Sequence, residues 1–338
     1  MERYDRQIRV KKIGPCGQEK IALVHVLIVG CGALGSYTAE QLLRMGIKKM
    51  TLLDFDYVEL SNLQRQTLFT EADATNNVAK VEAAKNALSK IDSSAKIFAY
   101  KESFSDYILQ EESCPDLILD CSDNYQVREE INNYCHYYKI PFVFAALAAT
   151  SGQVMAINPV DAPCLGCALP QLDALIQKDC DLLGVITPLV PMISSYQVSL
   201  ALKIITNPKE VIWDEMLYID AWSYQLQNFK VKKQAHCKYC QKTELKNAPQ
   251  NFTIKKMCGQ NVFSTQIPAA TFFLIDHFCQ KQQLPLKKNP LAARFTWDAY
   301  EFTLFPNGRL YFYGFTTSKS IQPYLDNLVK GALIVHES

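Results

Sequence analysis

The residues best equipped for chemistry fall into two groups. The first opens with Gly30-Cys31-Gly32-Ala33-Leu34-Gly35, where the apolar run His25–Val29 meets a helical pattern, Ser36–Met45. Glycines at this spacing let backbone approach phosphates, and a helix start favours their negative charge. Asp54 closes the next apolar run, Met50–Asp54, where it is placed to accept hydrogen bonds from ribose hydroxyls. Up to this point NAD, FAD and ATP fit equally well. No Gly-Lys-Ser/Thr is present, which excludes a Walker-type loop.

The residues that follow break the tie. In Asp54-Phe55-Asp56-Tyr57-Val58-Glu59-Leu60-Ser61-Asn62-Leu63-Gln64-Arg65-Gln66, an arginine and several amides stand just past the acid. Cleaving a triphosphate develops charge on the departing pyrophosphate, which cations meet; nicotinamide chemistry has no such need. Lys80, near the start of the helical pattern Val78–Ile91, is a second cation, and Arg6 a third. Asp123 follows another apolar run, Asp116–Asp120, and is placed to hold Mg²⁺, which takes one or two carboxylates plus substrate phosphates. Singly, Arg65 and Lys80 read as solvated charges, and Asp123 as a cap for the helix Tyr125–Tyr138. Together they border the crevice at which open α/β sheets bind ligands.

The second group is a pair of knuckles, Cys164-Leu165-Gly166-Cys167 and Cys237-Lys238-Tyr239-Cys240. Four thiolates suit a tetrahedral structural zinc, although the gap between the pairs is far wider than usual. A redox role for one pair would leave the other unexplained. Cys180 stands apart between Asp179 and Asp181, acids that work against activation of its thiol. The remaining cysteines read as small buried apolar residues.

Strand, glycine turn, helix, strand and acid make a βαβ unit, and the alternation continues to the apolar run Pro141–Ala149. The expectation is an α/β fold with a Rossmann-like, mostly parallel sheet and helices on both faces. The polar stretch Gln241–Gln250 marks a boundary between residues 1–243, an ATP-binding domain with a zinc site, and residues 250–338. The latter reads as a small α+β domain of unassigned role. Its elements are a strand at Thr253–Met257, a helix at Ala269–Lys281, a hairpin of Tyr300–Phe305 and Arg309–Phe315, and a helix at Lys319–Lys330. A chain of 338 residues with 49% hydrophobic and 20% charged residues builds a packed core. Its net charge of +1 gives no general affinity for nucleic acid or an anionic membrane. The charged start Met1–Gln7 lacks the apolar stretch of a signal peptide, and the apolar run 182–202 is interrupted by Pro188 and Pro191. A cytoplasmic protein without membrane or nucleic-acid partners is expected.

In order along the chain, Arg3-Tyr4-x-Arg6-Gln7, the glycine loop, Asp54-x-Asp56, Ser61–Gln66, Lys80, Asp120–Asn124 and both knuckles resemble the ThiF/MoeB family. That family is similar to the adenylation domains of ubiquitin-activating enzymes. The resemblance spans residues 1–243, and the remainder looks like the small terminal domain of some bacterial ThiF-type proteins. It implies ATP- and Mg²⁺-dependent adenylation of the C-terminal glycine carboxylate of a ubiquitin-like sulfur carrier, ThiS- or MoaD-like and ending in Gly-Gly, in thiamin or molybdopterin biosynthesis. Carried over by position, Gly30, Gly32, Ala33 and Gly35 lie against the nucleotide, Asp54 binds its ribose, and Asp56 belongs to the same site. Asn62, Arg65 and Lys80 contact the phosphates, Asp123 serves the magnesium, and Cys164, Cys167, Cys237 and Cys240 bind structural zinc. Arg6 reaches the partner subunit's ATP, which implies a homodimer. Cys180 matches a loop cysteine that handles sulfur in the thiamin branch and is also present in the molybdopterin branch. Ala33 replaces a frequent glycine. No rhodanese-like domain is found, so a separate sulfur donor, a cysteine desulfurase or rhodanese-like protein, is implied. The alternatives are adenylation of another C-terminal carboxylate (a short peptide or a tRNA-thiolation carrier) or an inactive carrier-binding scaffold.

Overall fold

The computed structural model describes residues 2–108, 114–172, 184–240, 254–256, 262–267, 270–289, 291–306, 308–317 and 320–333. The backbone divides into two compact units, Met1–Leu245 and Lys246–Ser338.

In the first unit the apolar runs form the parallel strands β1 (His25–Val29), β2 (Lys49–Leu53), β4 (Leu117–Asp120) and β5 (Phe142–Ala148), and the half-exposed β3 (Lys96–Tyr100), with no counterpart among those runs, pairs parallel to β2. Every residue of β1 is buried, because helices cover both faces of the sheet. Val26 and Ile28 face a core shared with α2 (Gly14–Leu23), α3 (Ala33–Met45), α5 (Lys80–Ile91) and α9 (Leu189–Thr206). Leu27 and Val29 face a second core with α6 (Phe104–Ile108) and α7 (Tyr125–Tyr138). Short helices α1 (Asp5–Ile8), α4 (Glu71–Thr75) and α8 (Leu165–Ala168) complete the unit.

The sheet continues as β6 (Ser151–Ile157), β7 (Glu215–Asp220) and β8 (Gln225–Lys230), all antiparallel, in the order β3-β2-β1-β4-β5-β6-β7-β8. Only Ala149 and Thr150 separate β5 from β6, a connection open to antiparallel strands alone. The prolines expected to interrupt the apolar run instead begin a helix. Pro188 caps α9 and Pro191 lies in its first turn, where no backbone N–H is required. Among the described residues α9 is the one helix long and apolar enough to cross a membrane, yet it packs on α3, β5 and β6 as a core helix.

The second unit is an antiparallel sheet of β9 (Lys255–Lys256), β10 (Val262–Gln266), β11 (Leu286–Asn289), β12 (Ala292–Trp297), β13 (Tyr300–Leu304) and β14 (Arg309–Tyr313), ordered β11-β12-β13-β14-β10-β9. Helices α10 (Ala270–Lys281) and α11 (Gln322–Leu333) pack together, over a core rich in phenylalanine that includes Phe278, Phe295, Phe302 and Phe312. The expected hairpin is present, whereas β10, β11 and β12 have no counterpart in the sequence reading.

Candidate nucleotide site and cysteine cluster

The strand order reverses between β1 and β4, so a crevice opens at their carboxyl ends. Gly30 has φ +93°, and a Cβ there would stand 2.7 Å from the Cys121 carbonyl oxygen; a Cβ on Gly35 would stand 1.9 Å from the Gly30 oxygen. These two glycines are demanded by the chain itself. Gly32 is different: it caps α3, and its nearest neighbour would be Gln66 Nε2 at 3.7 Å. The open space over Gly32 is a cradle that a phosphate fits. Ala33 is the first residue of α3, and its φ is not positive.

Asp54 Oδ2 accepts from the Cys31 N–H at 2.7 Å, and Oδ1 from the Asp56 N–H at 2.8 Å. A carboxylate has about four acceptor positions, so lone pairs remain for a ribose. Burial pushes the Asp54 carboxyl up, while Lys80 and these two N–H groups pull it back. The ammonium of Lys80 is 2.8 Å from Asp56 Oδ2. Burial alone would pull Lys80 down, but Asp54, Asp56 and Asp123 outweigh it and raise its pKa, so this cation stays charged. Asn62 is buried, and its Oδ1 accepts from the Glu59 N–H in a capping box, which fixes the turn leading to Arg65. Arg65 donates from Nη1 to the Ser61 carbonyl at 3.0 Å and has no carboxylate partner among the described residues.

The helix cap that competed for Asp123 belongs to its neighbour. Asn124 Oδ1 accepts from the N–H groups of Gln126 and Val127. Asp123 is exposed and has no hydrogen bond among the described residues, while its charge acts on Lys80. An uncommitted carboxylate within electrostatic reach of Lys80 is a donor that fits Mg²⁺. One residue here was not singled out from sequence: Gln66 is buried beside Gly32, and its Oε1 has no partner. The sequence shows only a glutamine after Arg65; its burial comes from the turn.

Arg6 is not brought to this crevice. The flanking Tyr4 and Gln7 are tied to Asp92 and to the Met45 carbonyl, at the C-terminal ends of α5 and α3, on the opposite edge of the sheet. Arg6 itself is exposed on α1. Cys180 lies outside the described residues.

The four knuckle cysteines do converge, with all sulfurs within 4.8 Å of one another. Cys164 lies 3.9 Å from Cys167 and 3.6 Å from Cys237, and Cys167 lies 3.5 Å from Cys240. Four sulfurs about 2.3 Å from one central ion stand about 3.8 Å apart, and a disulfide is near 2 Å, so this donor set fits a structural metal. The knuckles interlock through Gly166, whose place a Cβ could take only 2.1 Å from the Tyr239 ring.

These features define an α/β sheet with a crevice at its topological switch point and a four-cysteine cluster, the class to which the comparisons also point. The pattern of the ThiF family matches residues 4–241, and the chain belongs to that family. It is 29% identical over 320 residues to the sulfur carrier protein ThiS adenylyltransferase of Bacillus subtilis (strain 168), covering 92% of this chain and 94% of that one. It is 36% identical over 242 residues to the molybdopterin-synthase adenylyltransferase of Escherichia coli (strain K12), covering 71% and 96%. The crystal structure of E. coli MccB with ATP superposes with a TM-score of 0.61 at 22% identity, over 71% of this chain and 74% of that one, a likeness of fold. The family resemblance drawn from the motifs, the fold class and the enzyme class are borne out.

Proposed function

We propose that this chain adenylates the C-terminal glycine carboxylate of a small ubiquitin-like sulfur-carrier protein ending in Gly-Gly, taking ATP as second substrate and releasing pyrophosphate. What supports the reading is Lys80 held among Asp54, Asp56 and Asp123 and close to Cys31 of the glycine turn, with room left at Gly32. The acceptor carboxylate is ionised near neutral pH and attacks the α-phosphorus directly, so no general base is needed. The chain's task is to orient the phosphates and meet developing charge. The glycine loop and the start of α3 present N–H groups to the phosphates, and Asp54 holds the ribose. Lys80, kept charged by three carboxylates, and Arg65, without a carboxylate partner among the described residues, meet the pyrophosphate oxygens. Asn62 holds Arg65's turn in shape. Mg²⁺, held by Asp123, neutralises phosphate charge when bound.

Arg6, anchored away from its own crevice, serves the nucleotide of a second copy, which makes the working unit a homodimer. Cys164, Cys167, Cys237 and Cys240 hold zinc for stability alone. Cys180 and a separate cysteine desulfurase or rhodanese-like donor complete sulfur handling in the cytoplasm. The test is ATP–pyrophosphate exchange with a thiamin-type and a molybdopterin-type carrier in parallel. Exchange with either supports the reading and names the pathway. Exchange with neither, despite ATP binding, removes the sulfur carrier as acceptor.

A further inference from the structure

Among the described residues of the first unit, Asp120 and Arg128 are the most deeply buried carboxylate and guanidinium. Asp120 ends β4 with no exposed surface, and Arg128, in α7, is 4% exposed. They face each other at 3.9 Å, from Asp120 Oδ2 to Arg128 Nε, too far for a hydrogen bond, and neither atom has a hydrogen-bond partner among the described residues. A buried pair with this geometry is a poor source of stability, because each ion loses hydration without a full return.

Asp120 Oδ1 and Arg128 Nη2 both act on one residue, Ser122. Asp120 Oδ1 accepts from the Ser122 N–H at 3.1 Å and from its hydroxyl at 2.7 Å, while Arg128 Nη2 donates to the Ser122 carbonyl at 2.7 Å. The guanidinium is itself held between the rings of Tyr125, at 4.6 Å, and Phe144, at 5.3 Å. Gln197 Nε2 secures the Asp120 carbonyl at 2.9 Å. On the far side Asn124 is engaged in capping α7. Both neighbours of Asp123 are therefore fixed, and only its own carboxylate is uncommitted.

We infer that Asp120 and Arg128 are a buried positioning pair that fixes the Asp123 carboxylate for a divalent cation, an inference that rests on the role proposed for Asp123. Mg²⁺ demands near-octahedral ligands at about 2.0–2.1 Å, so a ligand on a loose loop binds it poorly. A merely structural pair would alter melting and leave cation affinity untouched.

The test titrates Mn²⁺, followed by electron paramagnetic resonance, into the full chain with α,β-methylene ATP. The double variant Asp120→Asn with Arg128→Met removes both charges together and leaves no unpaired ion. Its affinity for Mn²⁺ is expected to fall on the order of tenfold, with metal-free binding of the analogue unchanged. Adding Asp123→Ala to it should weaken Mn²⁺ no further than Asp123→Ala alone. Wild-type affinity in the folded double variant, or losses that add, overturns the inference. Should the double variant not fold, Ser122→Ala decides, since it removes one arm of the clamp; an unchanged Mn²⁺ affinity refutes the pair's role. A wild-type chain that binds no Mn²⁺ with the analogue overturns the reading of Asp123 and the inference with it.

Discussion

A methyl group added at Gly32 and one added at Gly35 meet different surroundings, and the contrast separates folding from nucleotide binding. At Gly35 the new carbon would stand 1.9 Å from the Gly30 carbonyl oxygen, a backbone atom that can retreat only by breaking the turn after β1. Overpacking of this severity costs about 3 kcal/mol or more. At Gly32 the nearest atom is the end of a side chain, Gln66 Nε2 at 3.7 Å, which is ordinary contact. The stability change from replacing a helix-capping glycine by alanine is within about 1 kcal/mol. The methyl would nevertheless fill the space in which phosphates approach the backbone. At about 1–3 kcal/mol of overlap, ATP should bind about 10- to 100-fold more weakly. Thermal melting without nucleotide, together with calorimetric ATP titration, reads both effects. Gly32→Ala is expected to melt near wild type and lose affinity, and Gly35→Ala to melt early. A folded Gly32→Ala protein with undiminished ATP affinity would show that phosphates do not lie over Gly32, and the assignment of the crevice would fall.

Four further outcomes are expected. Asp123→Ala should abolish pyrophosphate exchange while melting as wild type, and normal exchange in that variant refutes the cation role. Metal analysis should find about one zinc per chain, lost together with several degrees of melting temperature in Cys237→Ser; a metal-free chain of equal stability contradicts the cluster's role. Burial, then Lys139 and Lys233, pull the His136 pKa down to about 4, so the ring is neutral in the fold. Below pH about 6.5 the unfolded chain takes up the proton first, so about 3 kcal/mol of stability present above that pH is lost as pH falls towards 4. Denaturation midpoints against pH should show this slope, and His136→Gln should flatten it. Arg6→Ala and Lys80→Ala chains, each inactive, should regain about a quarter of wild-type sites when subunits exchange in an equal mixture, since only mixed dimers hold one complete site; no recovery despite exchange refutes action across the interface.

The parallel half of the fold was legible because burial on both faces makes β1, β2, β4 and β5 almost unbroken apolar runs punctuated by glycine or acid. The rest was hidden for identifiable reasons. β8 is exposed at every residue, so its sequence Gln-Leu-Gln-Asn-Phe-Lys has neither an apolar run nor a clear alternation. β10 pairs with β14, distant in the chain, while β11 and β12 are short strands of local hairpins, β11 almost wholly exposed and without an apolar run. For the site, the glycine loop, Asp54, Lys80 and the knuckles could be placed from their positions at strand and helix ends. Which of Asp123 and Asn124 caps α7 could not, because adjacent residues satisfy the same spacing rule and only geometry separates them. Gln66 and the Asp120–Arg128 pair were equally hidden, since their significance comes from burial and from what they touch.

The cysteine cluster also acts on the unfolded chain. Its two knuckles are 73 residues apart from Cys164 to Cys237, and α9, β7 and β8 lie between them. Tying such a loop shut removes chain entropy worth about 4 kcal/mol by the relation used for disulfides of that span. Within the closed loop lies Gln197, which holds the carbonyls of Asp120 and Val143. A metal held by these four sulfurs would act as an entropic staple around the helix that braces β4 and β5. A chelator that never enters the crevice would loosen the nucleotide loops from behind.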